Sequence, residues 1–110
     1  MKRIQALIRP ARLAALKGAL EKACVRSLTI ANVRHRGPEP PELKAFLGFL
    51  VPDDESPRLA LEMIVDDDQV DQVVGVILRT ARTGTPGDGH VSISPIEHRY
   101  DILSGHRETC

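Results

Sequence analysis

Thr80-Ala81-Arg82-Thr83-Gly84-Thr85-Pro86-Gly87-Asp88-Gly89-His90 joins a helical pattern to a strand pattern, and its reading decides the fold. Three glycines, Gly84, Gly87 and Gly89, fall within six residues. Without a Cβ, such residues let backbone N–H groups converge on one point. A nest of this kind suits an anion, typically phosphate. It is not a P-loop, because no Lys-Ser/Thr pair closes it and no helix follows it. Taken locally, the same residues also read as a turn-rich connection.

Upstream, Val70, Val73, Val74 and Ile77 form the inner stripe of a helix. Asp66-Asp67-Asp68 precedes it. Those carboxylates read as caps for the first N–H groups rather than as a metal cluster. Arg58 to Val65 alternates as a strand, and His90 to Ile96 is another, with Pro95 suited to an edge or a strand end. Lys2 to Ile8 alternates as the first strand, and Ala11 to Ala23 follows as an amphipathic helix on Leu13, Leu16 and Leu20. Val25 to Val33 reads as the second strand. Arg36 to Pro57 is a long, proline-rich insertion. Leu43, Phe46, Leu47 and Leu50 have helical spacing within it, so one short helix is expected there. Phe46 and Phe49 either fold back on the core or form a partner-docking tip. Tyr100 to Cys110 is a tail with Ile102 and Leu103 as its apolar anchors. The order is βαββαβ, an α+β ferredoxin-like sandwich. That architecture serves many functions and names none.

Composition narrows the classes. At 110 residues one domain is expected. The aromatics are Phe46, Phe49 and Tyr100, so the core must be aliphatic. Fifteen basic residues balance fifteen acidic ones, which argues against nucleic-acid binding. No apolar run reaches membrane-spanning length, and Arg9 and Arg12 interrupt any signal-like region. Cys24 and Cys110 make no disulfide framework. A pairing of the two is conceivable, but a buried Cys24 and a free tail thiol are expected. His35, His90, His98 and His106 lack H-x-x-H spacing and read as scattered surface histidines, so no metal site is expected. No nucleophile–base or paired-carboxylate constellation is visible, and the chain is not expected to be an enzyme. The cytoplasm is the expected compartment.

The whole chain resembles the PII signalling family, in its divergent PII-like branch. Met1-Lys2-Arg3-Ile4 through Ile8-Arg9-Pro10, Thr29, Gly37, Pro57-Arg58, Glu62, Asp67-Asp68 and Ser104-Gly105 carry part of the likeness. Its strongest part is Arg79-Thr80-Ala81-Arg82-Thr83-Gly84 followed by Gly87-Asp88-Gly89. The resemblance implies a single domain over 1–110, with a T-loop at 36–57, a B-loop at 82–90 and a C-terminal loop at 100–110. It implies a homotrimer that binds adenine nucleotides (ATP, ADP or AMP) between subunits and engages an unidentified target protein through the T-loop. By position, Gly87, Asp88 and Gly89 would wrap the phosphates. His90 replaces a phosphate-binding lysine, and Arg58 matches a basic residue at the T-loop base. Thr29, Leu7 and Ile64 would lie near adenine or ribose, and Gly37 and Glu39 where the T-loop crosses the phosphates.

The chain also departs from the pattern. Asp101 and Leu103 stand where the family has two phosphate-binding arginines. His106 and Arg107 are candidate replacements. Each lost charge-assisted contact is worth about 1.5–3 kcal/mol, so ADP and AMP should gain over ATP. Glu39 replaces a metal-chelating glutamine; it is able to hold Mg²⁺ but disfavours 2-oxoglutarate. The loop has no tyrosine for nucleotidylation. These departures point to a carbon-side regulator with bicarbonate as co-ligand, at Arg58 or Arg34, and a link to carboxysomes. The alternatives are a slow nucleotide hydrolase using Glu39 and Mg²⁺, a nitrogen-side PII sensing ATP and 2-oxoglutarate, and a metal-binding or purely structural trimer.

Overall fold

The computed structural model describes residues 1–37, 42–53 and 56–108, with backbone alone for 42–46 and 50–53. Glu39 and Cys110 lie outside the described residues. Strand β1 (Lys2–Ile8) buries Ile4, Ala6 and Ile8 on one face and turns Arg3, Gln5 and Leu7 to the other. Pro10 starts a short 3₁₀ turn, and α1 (Leu13–Lys22) continues from it, burying Leu16 and Leu20.

The second strand begins later than the periodicity predicts. β2 is Thr29–His35, not Val25–Val33. The reason is the end of α1. Val25 N–H donates to the Leu20 carbonyl and Cys24 N–H to the Glu21 carbonyl, each at 3.0–3.1 Å. This is a Schellman closure, which holds Val25 out of any ladder. Cys24 occupies the left-handed position with φ of 65°, and it is exposed rather than buried.

The insertion holds a hairpin where a helix is expected. β3 (Glu42–Phe46) pairs with β4 (Phe49–Asp53) as a separate two-stranded sheet. Leu47 and Gly48 both have positive φ, 50° and 81°, and such a pair makes the tight turn that right-twisted strands prefer. Over so short an apolar run, helical and strand spacing are not distinguishable. Phe49 is 73% exposed at the hairpin end and does not fold back on the core.

β5 (Ser56–Val65), α2 (Val70–Ala81) and β6 (Gly89–Pro95) complete the chain. A capping box between Asp66 and Gln69 opens the 3₁₀ turn (Asp67–Gln69) that leads into α2, and Gln69 Oε1 accepts from the Asp66 N–H. The main sheet is antiparallel, in the order β2-β5-β1-β6, so Pro95 ends an edge strand. This is the ferredoxin-like arrangement. Both helices cover one face. The core there is aliphatic, built from Ile4, Ile8, Leu16, Leu20, Leu61, Val73 and Ile77, with Met63 as its sulfur member. The opposite face, with Gln5, Leu7, Thr29, Ala60, Glu62, His90 and Ser92, carries no helix among the described residues. In the tail, Ile102 and Leu103 are 100% and 97% exposed, so they anchor nothing within this chain. Backbone bonds of the turn around Asp101 hold that tail instead.

The position of Cys24 yields a test. A left-handed L-residue costs about 1–2 kcal/mol, while glycine loses more chain entropy on folding. Cys24→Gly is therefore expected to stabilise by about 0.5–1 kcal/mol. Urea unfolding at fixed chain concentration measures it, and an unchanged or lower midpoint refutes the capping argument.

Candidate functional site

The connection from α2 to β6 is held in shape by one carboxylate and three arginines. Asp88 Oδ2 accepts from the backbone N–H of Thr83 and of Gly84, at 2.8 and 2.9 Å. Its Oδ1 accepts from the Thr83 hydroxyl and, at 3.0 Å, from Arg9 Nε. Arg9 also donates to the Pro86 carbonyl at 3.0 Å. Arg12 reaches the Arg82 carbonyl at 3.0 Å. Arg58, only 4% exposed, donates to the carbonyls of Pro57 at 2.8 Å and Gly87 at 3.0 Å. Arg9 and Arg12 come from the turn after β1 and Arg58 from β5, and all three bind carbonyls of the loop or its approach.

The Thr83 hydroxyl, and then the Thr83 N–H, Arg9 and the Gly84 N–H, hold the Asp88 carboxyl far below the ordinary carboxylate range, against a smaller opposing effect of burial. Gly89 has φ of 113°, and a Cβ there would lie 1.7 Å from the Leu7 carbonyl oxygen. Its lack of a side chain is thus a matter of β6 closing on β1. Gly84 and Gly87 also take positive φ, and around Gly84 a Cβ would meet open space.

The loop borders the uncovered face. Leu7, Thr29 and His90 line one groove of about 250 Å³ there, with Gln5, Ala60 and Glu62. Thr29 also borders a second depression with Ile64, Arg3, His98 and Arg99. Thr29 stands in the row of Glu62, Gln5 and Ser92, three residues of β6 from Gly89. That is about 10 Å of strand. A further cleft of about 290 Å³ runs beside the loop between Leu7, Leu78, Ala81, Asp88 and Val91.

The expected site residues therefore divide. Leu7, Arg58 and Gly87 to His90 gather at one end of the face. Gly37 follows the end of β2, whose His35 ring lies 6.0 Å from that of His90. Ile64 lies at the other end, with Thr29 linking the two grooves. Arg107 Nη1 is 3.2 Å from His98 Nδ1 there. His106 sits in the tail turn, its N–H donating to Ser104 Oγ at 3.1 Å and its carbonyl accepting from the Asp101 N–H at 3.0 Å. The Asp101 carboxylate accepts from the Ser104 N–H at 2.9 Å, which leaves it as a turn-former. Arg9, Arg3, His98 and Arg99 escaped the chemical reading of the sequence. The alternation in β1 places Arg3 on the uncovered face, but nothing local signals what Arg9 bonds.

Among known proteins, residues 1–106 match the family described as Nitrogen regulatory protein P-II. The chain is 38% identical over 109 residues to a nitrogen regulatory protein P-II of Nostoc punctiforme, covering 99% of this chain and 97% of that one. With proteins of the same description from Microchaete diplosiphon and a Synechocystis species, identity is 37% and 35% over the same shares.

Two substitutions rank the loop glycines. Gly89→Ala must displace β6 from Leu7 and is expected to destabilise by about 3 kcal/mol or more; Gly84→Ala meets only conformational strain, about 1 kcal/mol. Equal losses in urea unfolding would refute the close-approach argument. The Asp88 carboxylate makes a pH prediction as well. A depressed pKa contributes stability that is full above the ordinary value of 3.8 and is lost as pH falls through the depressed one. Thr83 and Gly84 amide NMR shifts should stay level from pH 8 to 5 and move only in stronger acid. In Asp88→Asn they should start displaced at every pH.

Proposed function

This chain belongs to the nitrogen regulatory protein P-II family, and on that premise we propose that it binds adenine nucleotide against the Thr83–Gly89 loop and signals through the hairpin segment between β2 and β5. The family is regulatory, forms trimers, binds adenine nucleotides and acts on target proteins. The uncovered sheet face supports burial against further copies. In such an assembly the loop of one chain would meet the Thr29–Ile64 end of another.

The observation that carries this reading is the direction of the loop peptides. Arginines hold the carbonyls of Pro86 and Gly87. In a planar trans peptide the next N–H points the opposite way. The N–H groups of Gly87 and Asp88 therefore face away from those arginines, in the sense that suits a phosphate.

Selectivity for ADP and AMP over ATP rests on the tail. Asp101 is a turn-former and Leu103 is an exposed apolar residue, so neither supplies a cation. Each missing charge-assisted contact weakens binding of the longer phosphate chain by roughly 1.5–3 kcal/mol. For bicarbonate as co-ligand, linked to carbon metabolism and carboxysomes, the candidate cations are Arg34, which is exposed, and Arg58, which is buried. A nitrogen-side role with ATP and 2-oxoglutarate is the second reading, favoured by the description that the relatives share.

Calorimetric titration decides among these. AMP, ADP and ATP are each titrated alone, with bicarbonate, and with 2-oxoglutarate plus Mg²⁺. Binding of ADP or AMP at least tenfold tighter than ATP, altered by bicarbonate, is the expected result. Tight ATP binding enhanced by 2-oxoglutarate establishes the second reading. No nucleotide binding at all refutes the loop assignment.

A further inference from the structure

We propose that His35 and His90 form a two-imidazole site for a divalent transition-metal ion, clamping the two edge strands of the main sheet to each other. His35 is the last residue of β2 and His90 the second of β6. These strands lie at opposite edges of the order β2-β5-β1-β6. Fifty-five positions separate the two residues, and no sequence spacing announces the pair. Their rings nevertheless meet over the uncovered face with centroids 6.0 Å apart and planes at 62°.

The distance decides what this pair is able to hold. A metal–imidazole bond is about 2.0–2.1 Å, and each ring nitrogen lies about 1.1 Å from its ring centre. The two centroids around a shared ion are then at most about 6.4 Å apart. The observed 6.0 Å falls inside that limit. Closing by about 0.8 Å brings the N–metal–N angle to tetrahedral, a shift within the reach of side-chain torsions. The inclined contact turns the edge of one ring, where its nitrogens lie, toward the other ring, and a turn about the Cβ–Cγ bond brings a nitrogen of the second round to face it. Imidazole is the commonest protein ligand for this class of ion.

Surroundings set the character of the site. Among the described residues no group of three His, Cys, Asp or Glu is poised for a metal. Among the described residues two positions are filled, and water or oxygens of a bound anion would take the others. Such a site follows the general order of affinities, with Cu²⁺ above Ni²⁺ and Zn²⁺ and Mn²⁺ weakest. Among the described residues Arg58 and the Arg9–Asp88 pair lie at this end of the face, and Arg34 and Arg36 flank His35 in the chain. His98 lies at the other end, beside Arg107, and serves as the internal control.

An ion here would fix the residue from which the hairpin segment departs to the residue that follows the glycine loop. Binding is therefore expected to stiffen the junction of the two. His90 also borders the groove proposed for the nucleotide, and the ion is therefore tested on the nucleotide-free chain.

The test uses the tag-free, nucleotide-free full chain. Zn²⁺ is titrated by calorimetry, and Cu²⁺ is followed by electron paramagnetic resonance. One ion per chain is expected, with nitrogen hyperfine structure from two imidazoles. His35→Ala and His90→Ala should each weaken binding at least tenfold. Both side chains lie at the surface or partly so, and circular dichroism verifies that the variants fold. His98→Ala should stay within twofold of the parent. Undiminished binding in the double variant His35→Ala/His90→Ala would overturn the proposal, as would the absence of binding or an ion shared between chains.

Discussion

The carboxylate of Asp88 is the tie on which the candidate site depends. It accepts from Thr83, Gly84 and Arg9 together, and so closes the loop and fastens it to the end of β1. Without it, the Arg9 guanidinium would lose its acceptor in a part-buried position, where unmet polar groups are costly, and the exposed N–H groups of Thr83 and Gly84 would turn to water. Arg58 and Arg12 add to the same construction by holding carbonyls of the loop or its approach. A stretch rich in glycine is entropically free by itself. Here that freedom is removed from outside, by side chains that are remote in sequence. The result is a fixed set of peptide directions rather than a mobile turn.

A second constraint is the one-sidedness of the sheet. The helices and the large buried apolar side chains lie on one face. The other face holds alternate residues of the same strands, and register assigns them there without exception along β1 and β5. A strand slip of one residue would exchange the two sets. On the trimeric reading proposed above, this uncovered face is the one that further copies would cover, and the site would border it.

Much of the fold was legible in the residues. β1 and α2 follow from their apolar spacing, and Asp66 was readable as the opening of a helix. Errors arose where local signals were ambiguous or were overruled. Leu43 to Leu50 is too short to separate two periodicities, and the positive φ at Leu47 is not a property that leucine advertises. Val25 looks like strand, yet its N–H belongs to the cap of α1. Ile102 and Leu103 are apolar and nonetheless exposed within the chain, since apolar character does not say against what a residue packs. Of the site, the glycine loop was legible because glycine and aspartate carry a local meaning. Its arginine anchors were not, because a surface arginine and a loop-anchoring one have the same letter and the same neighbours.

By itself, then, the sequence determined the βαββαβ frame of the main sheet, the buried faces of β1 and β5 and the family to which the chain belongs, because these rest on periodicity and on short motifs. The tertiary structure alone decided which partners meet. It set Arg9 on Asp88, Arg58 on Gly87 and the ring of His35 beside that of His90. The physical reason is that pairing across a sheet joins residues whose separation along the chain is large, and side-chain hydrogen bonds form only where register and twist bring donor and acceptor within about 3 Å.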